Sequence, residues 1–290
     1  MKPRDIVDRI AESVGLDGKP RPIKTAIEDE LIRAGMPAIS AAEGAEQKLS
    51  AVKKIIDTED RERTRLGETY GLRLLGTSRD SVSGSCFVLP DDDSAIAAAK
   101  ENRIHVDRIE SEIKNLNFSD FEKFGARVLQ QMGAKNTKVT PHAGDQGIDF
   151  YGEISLADIE GLPVGFFHLS HGAKLTVVGQ AKHYPENKIG PSHIRELVGA
   201  MSLARTDTYS KDSIDLFDGL HLPPFAPVLA VFFSTGKFTR GAYTLARNAG
   251  LIAFSGHQLA TFLADHGVGL ISTGGTTSFS TSEFKMWLQS

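Results

Sequence analysis

The sequence predicts an α/β protein in which a mixed sheet flanked by helices follows a mainly helical N-terminal domain. Three observations carry that expectation. From Lys2 to Tyr70 apolar residues recur at helical spacing, whereas after Leu116 short apolar runs alternate with helical stretches, as in a sheet covered on both faces. Between these regions lies Pro90-Asp91-Asp92-Asp93-Ser94, a turn-forming acidic break. A chain of 290 residues also exceeds the roughly 100–200 residues of one usual domain. We therefore place an N-terminal domain for DNA or partner recognition at 1–94, a connecting helix at 95–115 and a second domain at 116–290.

Taken in order, Ile6, Ile10 and Val14 mark a first helix, and Ile27, Leu31 and Ile32 a second that Gly35 and Pro37 end. Leu49, Val52, Ile55 and Ile56 form the stripe of a third helix over Glu46–Tyr70. Gly71–Gly76 and Cys86–Pro90 read as two short strands around the polar turn Ser78–Ser85. Helices followed by a hairpin suit a winged-helix DNA reader and equally a generic helical domain. The second domain should run helix 119–132, strands near 137–140, 147–154 and 174–183, helix 191–204, strand 227–234, helix 239–249, strand 251–255 and helix 257–265. Two stretches, Ser155–Ala173 and Thr206–Pro227, lengthen their connections. Each reads either as a DNA or dimer contact or as a neutral surface insertion.

Composition narrows the class. With 40% hydrophobic and 24% charged residues the chain is neither disordered nor membrane-like, and no apolar run approaches a bilayer span. The charged start MKPRDIVDRIAES is unlike a signal peptide, so the expected location is cytoplasmic. The single cysteine, Cys86, excludes an intrachain disulfide and a multi-cysteine zinc site. A net charge of −4 argues against bulk attraction to nucleic acid, though not against a local basic groove built from Lys135, Lys138, Lys182, His183, Lys188, Arg195, Lys237, Arg240 and Arg247. Each of these also reads as part of a solvated face.

The chemistry concentrates between Gly144 and Tyr184. If Val177–Tyr184 is a strand, Gln180 and Lys182 project from one face while Ala181 turns the other way. Gly144 and Gly147 permit a tight turn that delivers Asp149 at a strand start. A carboxylate, an amide oxygen and an ammonium group can then converge on one phosphate. Hard oxygen ligands suit Mg²⁺, with Mn²⁺ as a substitute, and a lysine can position water or offset growing negative charge. Taken alone, Asp149 would read as a turn residue capping nearby amides. Asp145 reads as a turn former rather than a ligand. His168-x-x-His171 is a metal pair without further zinc-spaced ligands, hence structural. No phosphate loop of the Walker type is present, so any ATP-driven motor or sensor would be a separate partner.

These segments occur in a specific order: Phe121-Glu122-Lys123-Phe124, Gly-Asp-Gln-Gly-Ile-Asp at 144–149, Gln180-Ala181-Lys182-His183-Tyr184, Ile194-Arg195-Glu196-Leu197, and the run Val231–Thr239. Together they resemble the catalytic domain of the Mrr-like restriction endonucleases, within the PD-(D/E)xK nuclease superfamily. The resemblance covers roughly Leu116 to Gly267. It implies a restriction-endonuclease-like fold and a metal-dependent endodeoxyribonuclease, with Asp149, Gln180 and Lys182 at the site. Gln180 stands where the superfamily more often has an acid, as it does in Mrr-like members. A neutral amide leaves the cation's charge uncompensated, and Glu122 is the candidate for the missing carboxylate. Ser119-x-x-Glu122 reads equally as a capping box.

Further candidates for the DNA surface are His183, Tyr184, Arg195, Ser234, Thr235, Lys237 and Thr239. His183 and Tyr184 contact the phosphate backbone or simply end their strand. Thr239 is an N-cap, a phosphate contact through its helix amides, or both. The expected activity is Mg²⁺-dependent hydrolysis of DNA in restriction or defence against foreign DNA, by a homodimer with no membrane partner. A non-cleaving DNA-binding sensor, and a nuclease for RNA or branched DNA, remain as alternatives.

Overall fold

A computed structural model of the chain describes residues 1–140, 147–159, 161, 163, 172–206, 220, 222, 225–274 and 276–290. The chain divides into two compact units, Met1–Ile109 with Ala260–Glu283, and Glu110–Leu259 with Phe284–Ser290.

The first unit opens with α1 (Pro3–Val14), β1 (Arg21–Pro22), α2 (Ile23–Arg33), α3 (Ala38–Arg65) and a hairpin of β2 (Leu72–Leu75) and β3 (Ser81–Gly84). Its sheet has the order β1-β3-β2 with both pairings antiparallel. Helix, strand, helix, helix and hairpin, with the lone strand on the hairpin's free edge, is the winged-helix arrangement that the sequence allowed. The apolar stripes meet in one core, where Ile6, Ile10, Ile27, Leu31, Val52, Ile56, Leu72 and Val82 are all buried.

Two boundaries differ from expectation. The hairpin's second strand lies at Ser81–Gly84 instead of Cys86–Pro90, because Gly76 (φ 82°) and Arg79 (φ 54°) are left-handed and close the turn early. Leu75 then pairs with Ser81, which turns Val82 into the core. Helix α3 begins at Ala38 rather than near Glu46, directly after Pro37, whose missing N–H is harmless before the first turn. The stretch read as one connecting helix is two, α4 (Ser94–Arg103) and α5 (Val106–Lys114). Asp93 Oδ1 caps α4 by accepting from the Ile96 amide at 2.8 Å. The unit also contains a hairpin absent from the sequence reading, β9 (Leu270–Thr273) with β10 (Thr276–Phe279).

The second unit is built on α6 (Phe118–Gln131), β4 (Lys135–Val139), β5 (Phe150–Ser155), β6 (Lys174–Lys182), α7 (Pro191–Arg205), β7 (Val228–Ser234), α8 (Arg240–Asn248) and β8 (Ile252–Phe254). Helices α9 (Gly256–Asp265) and α10 (Thr281–Gln289) complete the chain. The strands form a five-stranded sheet in the order β4-β5-β6-β7-β8. The first two pairings are antiparallel and the last two parallel, so the predicted mixed sheet is present.

Period-two alternation divides the side chains between two layers. On one face α6 lies against β4, β5 and β6. A Cβ at Gly125 of α6 or at Gly179 of β6 would fall 2.3 Å or 2.1 Å from the Phe150 ring, so both glycines exist to let that ring in. On the other face Tyr151, Val178 and Phe232 pack with Ile194 and Leu197 of α7 and Ala242 and Ala246 of α8. Among the described residues no helix is long and apolar enough to cross a membrane.

Candidate active site

The site candidates gather where β5 begins and β6 ends. Phe150 pairs with Gly179, and Asp149 precedes it at the start of β5. Two hydrogen bonds tie Asp149 to the residues on either side of Gln180: its amide donates to the Gly179 carbonyl at 2.8 Å, and its Oδ2 accepts from the Ala181 amide at 2.7 Å. Gly147 has φ 72°, a backbone conformation suited to glycine, and a Cβ there would meet Gln180 Nε2 at 3.4 Å and the Ala200 Cβ at 3.1 Å. Gly147 therefore sits between the Gln180 amide and α7. Gly144 and Asp145, like His168 and His171, lie outside the described residues.

Gln180 and Lys182 share the α7 face, as their two-residue spacing predicts; the register pairs Gln180 with Phe232 and Lys182 with Ser234. Gln180 is 1% exposed, and its Oε1 has no hydrogen-bond partner among the described residues. Such an orphaned buried acceptor carries a desolvation penalty of about 1–3 kcal/mol, which a ligand can offset. The Lys182 side chain is only 15% exposed, and its Nζ lies 3.9 Å from Glu196 Oε2 on α7. That carboxylate partly offsets a buried ammonium. The sequence motif around Glu196 was legible, but its approach to Lys182 was not. Its one local signal is its place on α7 between the buried Ile194 and Leu197.

Glu122 is 4% exposed in α6, on the opposite layer from Gln180 and Lys182. Its helix passes the site region, since Gly125 abuts Phe150 and Phe121 meets the His183 ring edge at 5.8 Å between centroids. The capping-box alternative for Glu122 does not fit the helix start. Asn117 is the N-cap and its Oδ1 accepts from the Asp120 amide at 2.8 Å.

The candidates for the DNA surface separate by exposure. Arg195 and Lys237 are exposed, and Thr239 caps α8 with its Oγ1 accepting from the Ala242 amide at 3.2 Å. Ser234 and Thr235 are 0% and 1% exposed, so burial leaves neither hydroxyl a surface on which to meet DNA. Ser234 Oγ instead accepts from the Gly236 amide at 3.0 Å and shapes the turn. His183 Nε2 lies 3.1 Å from the Lys114 carbonyl, an interaction that commits the ring to the protein. Tyr184 packs edge-on to His193, with centroids 5.6 Å apart.

The donor set fits a divalent cation: a carboxylate at a strand end beside a buried amide oxygen that lacks a partner. Asp149 and Gln180 are the residues that could hold it.

Comparison with known proteins agrees with the reading of the motifs. Residues 113–210 match the family model Mrr_cat, described as restriction endonuclease, and the resemblance to Mrr-like restriction endonucleases is thereby shown over that segment. No curated protein matches the chain. Among solved structures, it is similar to the MspJI restriction endonuclease in complex with a 27-mer oligonucleotide, at 18% identity and a TM-score of 0.34, over 62% of this chain and 36% of that one. It is also similar to the DNA modification-dependent restriction endonuclease AspBHI, at 14% identity and a TM-score of 0.39, over 65% and 39%. Restriction endonuclease FokI bound to DNA matches at 12% identity and a TM-score of 0.33, over 91% and 45%. The chain thus spans less than half the length of each of these chains.

Proposed function

We propose that this chain is a Mg²⁺-dependent endodeoxyribonuclease, acting on foreign DNA in restriction or defence. The observation that carries the proposal is at the end of β6, where Asp149 is hydrogen-bonded to the residues flanking Gln180 and Lys182 follows two residues after Gln180. The family match over residues 113–210 supports the same chemistry. Asp149 and Gln180 would hold the cation, with Glu122 as a further ligand. A bound Mg²⁺ would polarise the phosphoryl oxygen and acidify water. Lys182 offsets the negative charge that grows on the phosphate, or orients the attacking water, from a mostly buried position where its charge acts strongly.

Arg195, Lys237 and Thr239 are the proposed backbone contacts on this face, with His183 and Tyr184 holding the strand end beneath them. Ser234 acts by shaping the turn that carries Lys237. The winged-helix arrangement supports a selecting role for the N-terminal residues 1–94, toward DNA or a partner, with 95–115 connecting them to the nuclease domain at 116–290. Cutting both strands takes two sites, so the acting form is a homodimer.

The test is incubation of the purified chain with methylated and unmethylated plasmid, with Mg²⁺, Mn²⁺, Ca²⁺ or EDTA. Mg²⁺ and Mn²⁺ should support cleavage, while Ca²⁺, with its looser coordination, should support binding with little turnover. Full activity in EDTA would overturn the reading. Binding without cleavage under every metal would favour a DNA sensor that keeps the fold.

A further inference from the structure

Gln180 brings an oxygen to the site but no charge. A divalent cation held by one carboxylate and one amide would keep most of its charge, and affinity in oxygen sites rises with the number of charged ligands. A second carboxylate would raise that affinity, and the structure offers one on the same face as Gln180 and Lys182. Glu196 stands on α7 with Oε2 3.9 Å from Lys182 Nζ, and its side chain is 52% exposed. Its backbone also closes the wall behind the turn, since a Cβ at Gly147 would come within 3.9 Å of the Glu196 carbonyl and 3.4 Å of Gln180 Nε2. Gly147 thus lies against both Gln180 and the Glu196 backbone, while the Glu196 carboxylate reaches Lys182. A second, independent observation concerns the amide itself: the Gln180 Oε1 is buried and has no hydrogen-bond partner among the described residues.

We propose that Glu196 is the second carboxylate of the cation site, supplying the charge that Gln180 lacks. Glu122, by contrast, belongs to the layer on the other side of the sheet. The proposal rests on the nuclease reading for the identity of the cation, but it makes a separate claim about which side chain binds it. Without the cation Glu196 pairs with Lys182. With it, the carboxylate turns to the metal and leaves the ammonium directed at the phosphate. An exposed carboxylate can make that change of partner by side-chain rotation alone.

The experiment is calorimetric titration of Mn²⁺ into the full chain and into Glu196→Gln, Glu122→Gln and Asp149→Ala, with a thermal melt of each to verify folding. Glu196→Gln takes from Lys182 a carboxylate that partly offsets its charge, so the melt establishes that this variant stays folded during the titration. The proposal expects Mn²⁺ affinity to fall roughly tenfold or more in Glu196→Gln, and by less in Glu122→Gln. Wild-type affinity in a folded Glu196→Gln, with loss in Asp149→Ala, overturns the assignment of Glu196 and leaves the nuclease reading standing. Undiminished affinity in both Asp149→Ala and Glu196→Gln overturns the cation site itself.

Discussion

The two faces of β6 put one strand to opposite uses. Toward α6 it presents Val177, Gly179 and Ala181, small or apolar and buried, with the Phe150 ring pressed against Gly179 and tilted against Phe233 at 5.2 Å. Toward α7 it presents Val178, then Gln180 with an orphaned oxygen, then Lys182 with a mostly buried ammonium. The difference teaches that polar groups stand on one face where packing would prefer apolar ones, which the proposed site explains, while the opposite face is close-packed.

Substitutions on the two faces should therefore separate activity from stability. The largest effect is expected at Asp149. Asp149→Ala should lower plasmid cleavage by about a thousandfold, equivalent to about 4 kcal/mol of transition-state stabilisation, with DNA binding by gel shift largely kept. Cleavage near the wild-type rate would remove Asp149 from the chemistry.

On the α6 face the outcome should invert. Gly179→Ala forces a Cβ to 2.1 Å from Phe150 and should destabilise the fold by about 1–3 kcal/mol in a denaturant melt. Cleavage by the remaining folded fraction should persist. An unchanged melt would mean that the Phe150 ring can move aside, and that this face is less rigid than the comparison requires.

A smaller, pH-dependent effect sharpens the contrast between charge used for folding and charge used for chemistry. Burial raises the Glu110 carboxyl, but bonds from His257, 2.7 Å away, and from Lys114 outweigh it and hold the pKa down to about 2, below the ordinary 4.5. A depressed carboxylate stabilises the fold above its unfolded pKa and loses that contribution as pH falls through its folded one. Stability should thus decline from about pH 4.5 toward pH 2. In Glu110→Gln the melt should be lower at neutral pH and less dependent on acid over that window. Parallel curves for variant and wild type would show that the pair contributes nothing.

Much of this was legible because it depends on local pattern. The alternation in Val177–Tyr184 puts Gln180 and Lys182 on one face, and the register shows them there. The helix expected at 119–132 is Phe118–Gln131, since Phe121, Phe124, Val128 and Leu129 mark its buried stripe. Other features depend on tertiary contact. The β3 strand was misplaced because its Ser-Val-Ser-Gly sequence has one apolar residue, and only pairing with β2 selects it. The β9–β10 hairpin is rich in Ser and Thr, and offers little apolar alternation to detect. The burial of Ser234 and Thr235, and the approach of Glu196 to Lys182, follow from how β6, β7 and α7 pack, which no spacing in the sequence encodes.

The central claim is that the α7 face of β6 performs chemistry, and Lys182 tests it most directly because a lysine there has least reason to exist otherwise. The measurement is the single-turnover rate of plasmid cleavage by Lys182→Ala at saturating Mg²⁺, beside its thermal melt. We predict a rate reduced by about a thousandfold with a melt equal to or above wild type, since a mostly buried charge has been removed. A rate near wild type, or a lost rate explained by an unfolded protein, would contradict the account.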